Sequence, residues 1–185
     1  WRDMKTYRNH VFIVADNGGA QGMQVFDLTR LRNVANAPVT FTEDAHYDRI
    51  AESHNIIINE ETGYAYAVGS GGGGESCGGG LHMIDIRDPK RPAFAGCHAN
   101  PRVGGQGTGS VHDAQCVVYQ GPDARYRGRE ICFNSAETAL EIVDVTDKRN
   151  TRTLAVAAYP STSYAHQGWL TEDQGAFFMG DEGDE

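Results

Sequence analysis

The sequence lacks several features that would assign a protein to a class at once. No stretch approaches 18 consecutive apolar residues, so no segment is long enough for a transmembrane helix. No CxxC pair and no HExxH motif occurs, which argues against a zinc ribbon and against a zinc metalloprotease. The glycine-rich run 71–80 lacks the Lys-Ser/Thr ending of a phosphate-binding loop, and we expect it to form a flexible insertion. No Asn-x-Ser/Thr acceptor for N-glycosylation is present.

Positive charge is also scarce. The chain has 16 Lys and Arg against 25 Asp and Glu, which gives a formal net charge of −9. Because this balance repels a phosphate backbone, a nucleic-acid partner is not expected. Glycine, by contrast, is abundant, with 23 residues among the 185, and this composition predicts many turns in one domain or in a piece of one.

Four cysteines are present, and two of them lie in short β-type runs on either side of a turn-rich segment, 121–128. In an antiparallel hairpin Cys116 and Cys132 would lie opposite each other at a Cα separation of about 5.5 Å, which a disulfide tolerates. The second predicted bridge joins Cys77 in the glycine run to Cys97, which ends a predicted strand on the same side. The alternative is a set of buried free thiols. Disulfides would place the chain in an oxidising compartment.

The chain repeats a pattern of alternating apolar residues followed by aspartate. Asp27, Asp85 and Asp144 end these segments at spacings of 58 and 59 residues. We expect each aspartate to have a structural role, accepting a backbone N–H from the turn that follows. A second series opens one strand of each unit at spacings of 58 and 54 residues, and it consists of His54-Asn55, His112-Asp113 and His166-Gln167.

Each repeated unit reads as four short strands with period-two alternation. In the second unit these are 54–59, 64–69, 81–86 and 93–98, and the turn 60–63 forms the first hairpin. Four-stranded units of this length predict an all-β fold, a β-propeller, with residues 1–185 as part of a single propeller domain. The blade units are approximately 1–45, 46–100, 101–160 and an incomplete 161–185. Because closed propellers have at least four blades, about three and a half blades suggest a piece of a longer chain.

These residues also carry a family resemblance. The segments 83–89 and 141–147 resemble LVIVD repeats, and segments 22–28, 112–119, 128–134 and 166–170 are similar to the choice-of-anchor B family. The resemblance covers essentially the whole chain. It implies a secreted or cell-surface β-propeller, and it implies no particular catalytic residues.

The propeller geometry predicts where chemistry could occur. The openings of the first strands and the loops after the second strands would share one face, which gathers His54, Asn55, His112, Asp113, His166 and Gln167 at the channel mouth. These histidines could hold a transition metal or Zn²⁺, or each could hydrogen-bond the next blade as a packing residue, and the repetition favours packing.

A weaker alternative concerns hard cations such as Ca²⁺, which prefer oxygen ligands. Asp16, Asp181 and Glu182 are the candidates, the last two within an acidic run that continues to Glu185. A solvated acidic loop is the simpler interpretation.

Two functions from different classes remain open at this point. The first is an extracellular or cell-surface binding or structural module without catalysis, whose loop-rich face recognises a protein or a glycan or contacts the remainder of its own propeller. The second is a metal-dependent lyase or hydrolase that uses the histidines at the channel mouth. Metal content after purification without chelator would discriminate them.

Overall fold

The computed structural model describes residues 1–183, and their regular secondary structure is almost entirely antiparallel β-sheet. The first sheet, sheet I, contains β1 (Arg2–Tyr7), β2 (His10–Ala15), β3 (Met23–Asp27) and β4 (Ala45–Tyr47). A short strand, β5 (Ile50–Glu52), follows. Sheet II contains β6 (Asn55–Asn59), β7 (Tyr64–Val68), β9 (Leu81–Asp85) and β10 (Ala93–His98), and β8 (Gly71–Gly74) pairs with β5.

The second half of the chain repeats this arrangement. Sheet III contains β11 (Asp113–Val118), β12 (Glu130–Ser135), β13 (Leu140–Asp144) and β14 (Arg152–Ala157). Sheet IV consists of β15 (Ala165–Leu170) and β16 (Phe177–Asp181). Three short 3₁₀ turns complete the described part, at Leu28–Leu31, Cys77–Gly79 and Gly105–Gly107.

In sheets I to III the four strands lie side by side in chain order, so each sheet is an antiparallel meander. The predicted four-stranded units are therefore confirmed, including the hairpin turn between Asn59 and Tyr64. The first strands of successive sheets are neighbours: β6 lies beside β1 and β11, and β11 lies beside β15.

The glycine run differs from the prediction of a flexible insertion. Its first four glycines form β8, which pairs with β5 in antiparallel register, Gly74 opposite Ile50. At Gly74 the backbone φ is +70°, and an added Cβ would lie 2.6 Å from the carbonyl oxygen of Arg49. Only glycine allows this approach without displacing the partner strand, which explains a strand made of a residue that normally weakens strands.

The hydrophobic core lies between successive sheets. Phe12 and Val25 of sheet I pack in one buried cluster with Ile56 and Ile84 of sheet II. Alternate residues of the same strands of sheet II point the other way and join sheet III in a second cluster, which includes Ile57, Tyr66, Met83, Cys116 and Val143. Because both faces of sheet II are buried, its strands are apolar almost throughout.

The three repeated aspartates have the predicted structural role. In Asp27, Asp85 and Asp144 a side-chain Oδ1 accepts the backbone N–H two residues later, at 3.0 Å in every case. Side-chain hydrogen bonds, from Thr29 to Asp27 and from Arg87 to Asp85, are the largest cause that lowers the pKa of these two carboxyls below 3.8, and the backbone bonds lower it further. The carboxylate thus fixes the turn that ends the third strand of each sheet.

Both predicted disulfides are present, Cys77–Cys97 and Cys116–Cys132, and residues 1–183 contain no free cysteine. Cys116 and Cys132 are direct partners in the β11–β12 pairing, as the hairpin geometry predicts. Their Cα atoms are 4.0 Å apart, closer than the expected 5.5 Å and nearer to the spacing of a non-hydrogen-bonded pair. Such bridges are typical of oxidising compartments. None of the helices formed by residues 1–183 is long and apolar enough to cross a membrane.

Candidate functional site

A groove with a volume of about 670 Å³ runs along the first strands of sheets II and III and of sheet IV. The six residues predicted for the channel mouth all line it: His54, Asn55, His112, Asp113, His166 and Gln167. They come together because β6, β11 and β15 are adjacent and because each residue pair stands at the start of its strand. Lys5, Gln115, Trp169 and Gln174 line the same groove.

The three histidines form a row of closely spaced, mutually tilted rings, with interplanar angles of 47° and 38°, which we call the histidine column. The ring centroids of His54 and His112 are 4.3 Å apart, and those of His112 and His166 are also 4.3 Å apart. Tyr164 approaches the central ring edge-on, with its centroid 5.3 Å away. The equal spacing reflects one repeat position presented by three successive sheets.

Hydrogen bonds fix two of these rings. Nδ1 of His112 lies 2.9 Å from the carbonyl oxygen of His166, and because a carbonyl only accepts, Nδ1 must carry the proton. Nδ1 of His54 lies 2.8 Å from Oδ2 of Asp16. In both rings the neutral form then has its lone pair on Nε2.

Two side chains along the groove connect neighbouring first strands. The Asn55 side chain donates to the carbonyl oxygen of His112 at 3.2 Å, and the Gln115 side chain accepts the backbone N–H of Leu170 at 2.7 Å. Asp113 instead accepts the backbone N–H of its own neighbour Ala114, at 2.8 Å. The first two bonds link β6 to β11 and β11 to β15.

The central part of the groove favours neutral groups. Burial lowers the pKa of His112 below 6.5, and the adjacent rings of His54 and His166 lower it further. Burial raises the pKa of Asp113 above 3.8. Both shifts oppose the charged form, so the centre of the column holds less charge than its residue types suggest.

The candidate calcium residues occupy separate positions. Asp16 binds His54, and Oε2 of Glu182 lies 3.8 Å from Nε2 of His166. Asp181 accepts the hydroxyl of Tyr159 and three backbone N–H groups, so its carboxylate organises a turn. Asp184 and Glu185, the last acids of the run, lie outside the described residues.

Within residues 1–183 a different group, Cys77, His82 and Cys97, brings three ligand atoms within 4.8 Å of one another. The three histidines do not form such a convergent ligand set in this structure; they form a row of tilted rings.

Sequence reasoning did not predict two buried polar contacts that connect neighbouring sheets. The hydroxyl of Tyr47, the last residue of β4, lies 2.8 Å from Nε2 of His82 in β9. Nε2 of His98, the last residue of β10, lies 3.1 Å from Oε1 of Glu141 in β13. His82 and Glu141 share one repeat position, three residues before the repeated turn aspartate of their units, and both are fully buried. The sequence signal that could have revealed these contacts is a polar residue that recurs at the same position inside an apolar strand.

A GxSxG spacing occurs at Gly74-Glu75-Ser76-Cys77-Gly78 and was also missed. It lies in the glycine run, where Ser76 is followed by a three-residue 3₁₀ turn, and that turn has no side-chain cap from Ser76. A nucleophile elbow requires a strand, a sharp turn and a full helix. The structural context therefore gives this motif no support as a catalytic serine.

No family model matches the chain, and no curated protein matches it significantly.

Proposed function

We propose that residues 1–185 form part of one β-propeller, similar to choice-of-anchor B proteins, with blade units near 1–45, 46–100, 101–160 and 161–185. Two features of the described residues support this. Successive sheets bring their first strands together. The interface between sheets I and II and the interface between sheets II and III also contain the same kind of contact. In each, the last residue of the fourth strand of one sheet contacts the second residue of the third strand of the following sheet. Radial repetition of one sheet produces such equivalent interfaces.

We propose an extracellular or cell-surface location for this protein. The two disulfides support an oxidising environment, and the resemblance to choice-of-anchor B proteins points the same way. The function we propose is that of a binding module without catalysis of its own, with the groove beside the histidine column as its ligand site.

The ligand class that the groove favours is a neutral glycan. The indole of Trp169 is 65% exposed although it borders the groove. An exposed aromatic face can stack on the apolar face of a sugar ring. Amide side chains of Asn55, Gln167 and Gln174 line the same groove, and each offers donors and acceptors to hydroxyl groups. The exposed Trp169 beside this row of amides is the observation that carries the proposal.

The experiment is a screen of the chain against an oligosaccharide array, followed by calorimetry with the best ligand. The Trp169→Ala variant should weaken binding by about tenfold or more, corresponding to roughly 1.4 kcal/mol. Trp1→Ala is the matched control, because Trp1 is also highly exposed, at 80%, and does not line the groove. An array without ligands, or equal losses in both variants, would contradict the glycan proposal.

One observation favours the second candidate, a metal-dependent lyase or hydrolase. His54 and His112 use Nδ1 for hydrogen bonds to a carboxylate and a carbonyl, which is how metal-binding histidines are commonly oriented by their surroundings. Elemental analysis of the oxidised protein, purified without chelator, tests it. A stoichiometric transition metal that the His112→Gln variant loses would move the enzyme ahead of the binding module.

A further inference from the structure

We propose that Cys77, His82 and Cys97 form a latent site for a thiophilic divalent cation such as Zn²⁺, which opens when a dithiol reductant cleaves their disulfide. Their Sγ and ring-nitrogen atoms already lie within 4.8 Å of one another. The site is separate from the histidine column, and it does not depend on the proposed glycan binding.

One interatomic distance in this group already matches a tetrahedral zinc site. Nδ1 of His82 is 3.5 Å from Sγ of Cys77. Zinc bonds of about 2.3 Å to sulfur and 2.0–2.1 Å to nitrogen, at a tetrahedral angle, place these atoms about 3.5 Å apart. The two sulfurs must separate to about 3.8 Å by the same bond lengths, which they can do once the bond between them is broken. Sγ of Cys97 lies within 4.8 Å of the His82 ring nitrogen and must come to about 3.5 Å from it.

The surroundings of His82 allow its ring to change role. The ring is fully buried, with Nδ1 2.6 Å from the carbonyl oxygen of Glu75 and Nε2 2.8 Å from the hydroxyl of Tyr47. Because the carbonyl only accepts, Nδ1 now carries the proton and the Tyr47 hydroxyl donates to Nε2. A hydroxyl can also accept, so the proton can sit on Nε2 against Tyr47 and leave the Nδ1 lone pair for a metal.

The backbone beside Cys77 can accommodate the movement. Three glycines, Gly78 to Gly80, follow it directly, and Cys77 itself has a φ of +52°. Glycine permits a wide range of backbone torsions, so this segment can adjust its conformation in the small shift that moves Sγ and releases the Glu75 carbonyl. Cys97 is at least partly exposed, so a reductant can reach its sulfur and solvent can supply the fourth ligand.

Metal binding requires prior reduction of the Cys77–Cys97 disulfide. A dithiol reduces this bond, becomes a disulfide itself, and leaves two protein thiols. The cation then binds two thiolates and Nδ1 of His82, and two protons pass to solvent. The disulfide and the metal are therefore mutually exclusive states of one group of residues.

The test uses the full chain and Co²⁺, whose thiolate complexes absorb strongly. The dithiol-reduced protein should bind one Co²⁺ per chain with thiolate charge-transfer bands, and Zn²⁺ should displace it. The oxidised protein should bind none. His82→Gln should weaken binding by at least about tenfold, and Cys97→Ser should abolish the charge-transfer bands of this site.

Cys132→Ser is the matched control, because it removes a thiol of the other bridge and should leave cobalt binding intact. Circular dichroism verifies that each reduced protein keeps its β-sheet. The proposal is wrong if the reduced wild type binds no Co²⁺, if it loses its β-sheet on reduction, if His82→Gln binds Co²⁺ as tightly as the wild type does, or if Cys132→Ser loses the binding.

Discussion

At the scale of single residues, the repeated positions differ in how far the sequence reveals their role. The turn aspartates were predictable, because their partner is a backbone N–H two residues away and local geometry decides the contact. The close approach of the rings of His54, His112 and His166 was not predictable in detail. It depends on how three sheets are oriented, and the pattern of one strand carries no information about that orientation.

The first prediction concerns Asp85. Replacing it by alanine removes the acceptor for the turn N–H, and we expect the free energy of unfolding to fall by about 1–2 kcal/mol, as for a lost capping side chain. Glycan binding should be unchanged. Asp85→Asn is the control, because its amide oxygen can still accept the same N–H and should recover most of the stability. Urea denaturation measures the stability of both variants. A loss of glycan binding at unchanged stability would instead assign Asp85 to the binding site.

The second prediction concerns pH and the neutral histidines. Burial lowers the pKa of His82 and His112 below 6.5 in the folded chain, so the unfolded chain takes up these protons first as the pH falls. This contribution to stability is complete above pH 6.5 and is lost as the pH falls through the folded pKa values. The groups facing His112 are His54, His166, Tyr164 and Asp113.

We therefore expect a lower urea midpoint at pH 5.5 than at pH 7.5, and a smaller difference in the His112→Gln variant. Equal differences in the variant and the wild type would mean that His112 titrates normally in the folded state.

At the scale of strands and sheets, the sequence predicted the hairpins and missed the contacts between sheets. Cys116 and Cys132 flank one turn, so a symmetrical register was sufficient to pair them. Tyr47 and His82 are 35 residues apart, and His98 and Glu141 are 43 apart. Such pairs become visible only when the stacking of sheets is known. The strand β8 was missed because glycine normally disfavours strands, and its pairing depends on close backbone approach.

The third prediction concerns the hairpin disulfide. Its cysteines are 16 residues apart, and the Cys116→Ala/Cys132→Ala variant should lose about 2–4 kcal/mol of stability, the usual effect of removing a bridge that closes such a loop. Peptide mapping by mass spectrometry under non-reducing conditions should recover Cys77–Cys97 and Cys116–Cys132. Recovery of a Cys77–Cys132 peptide, or of four free thiols, would refute the pairing.

The fourth prediction concerns a buried ion pair at the interface of sheets II and III. Nζ of Lys148 is 2.7 Å from Oε2 of Glu130, and both side chains are buried. Asn59 of sheet II donates to the other carboxylate oxygen at 2.8 Å. Lys148→Met leaves the carboxylate buried without its charge partner, and we expect a loss of about 3–5 kcal/mol.

The double variant Glu130→Gln/Lys148→Met removes both charges and should recover a large part of that loss in the same denaturation assay. If the double variant is as unstable as the sum of the two single variants, the pair contributes no coupling.

At the scale of the whole molecule, the repeat determines both the fold and the proposed site. Four-stranded units were predictable from the spacing of Asp27, Asp85 and Asp144, because one unit folds as one sheet. For the groove, the sequence predicted only that the first residues of successive first strands lie on one face. The width of the groove, the exposure of Trp169 and the spacing of the histidine rings follow from the angle between sheets. The packing of side chains at each interface determines that angle.

The most direct test of the proposed function is an NMR titration of the chain with the oligosaccharide that the array selects, following histidine ring and tryptophan indole signals. We predict saturable shifts of His112, His166 and Trp169 with one common dissociation constant, while the indole signal of Trp1 stays unchanged. Shifts at Trp1 alone, or a saturable interaction that leaves the histidine column and Trp169 unperturbed, would contradict the assignment of the groove as the ligand site.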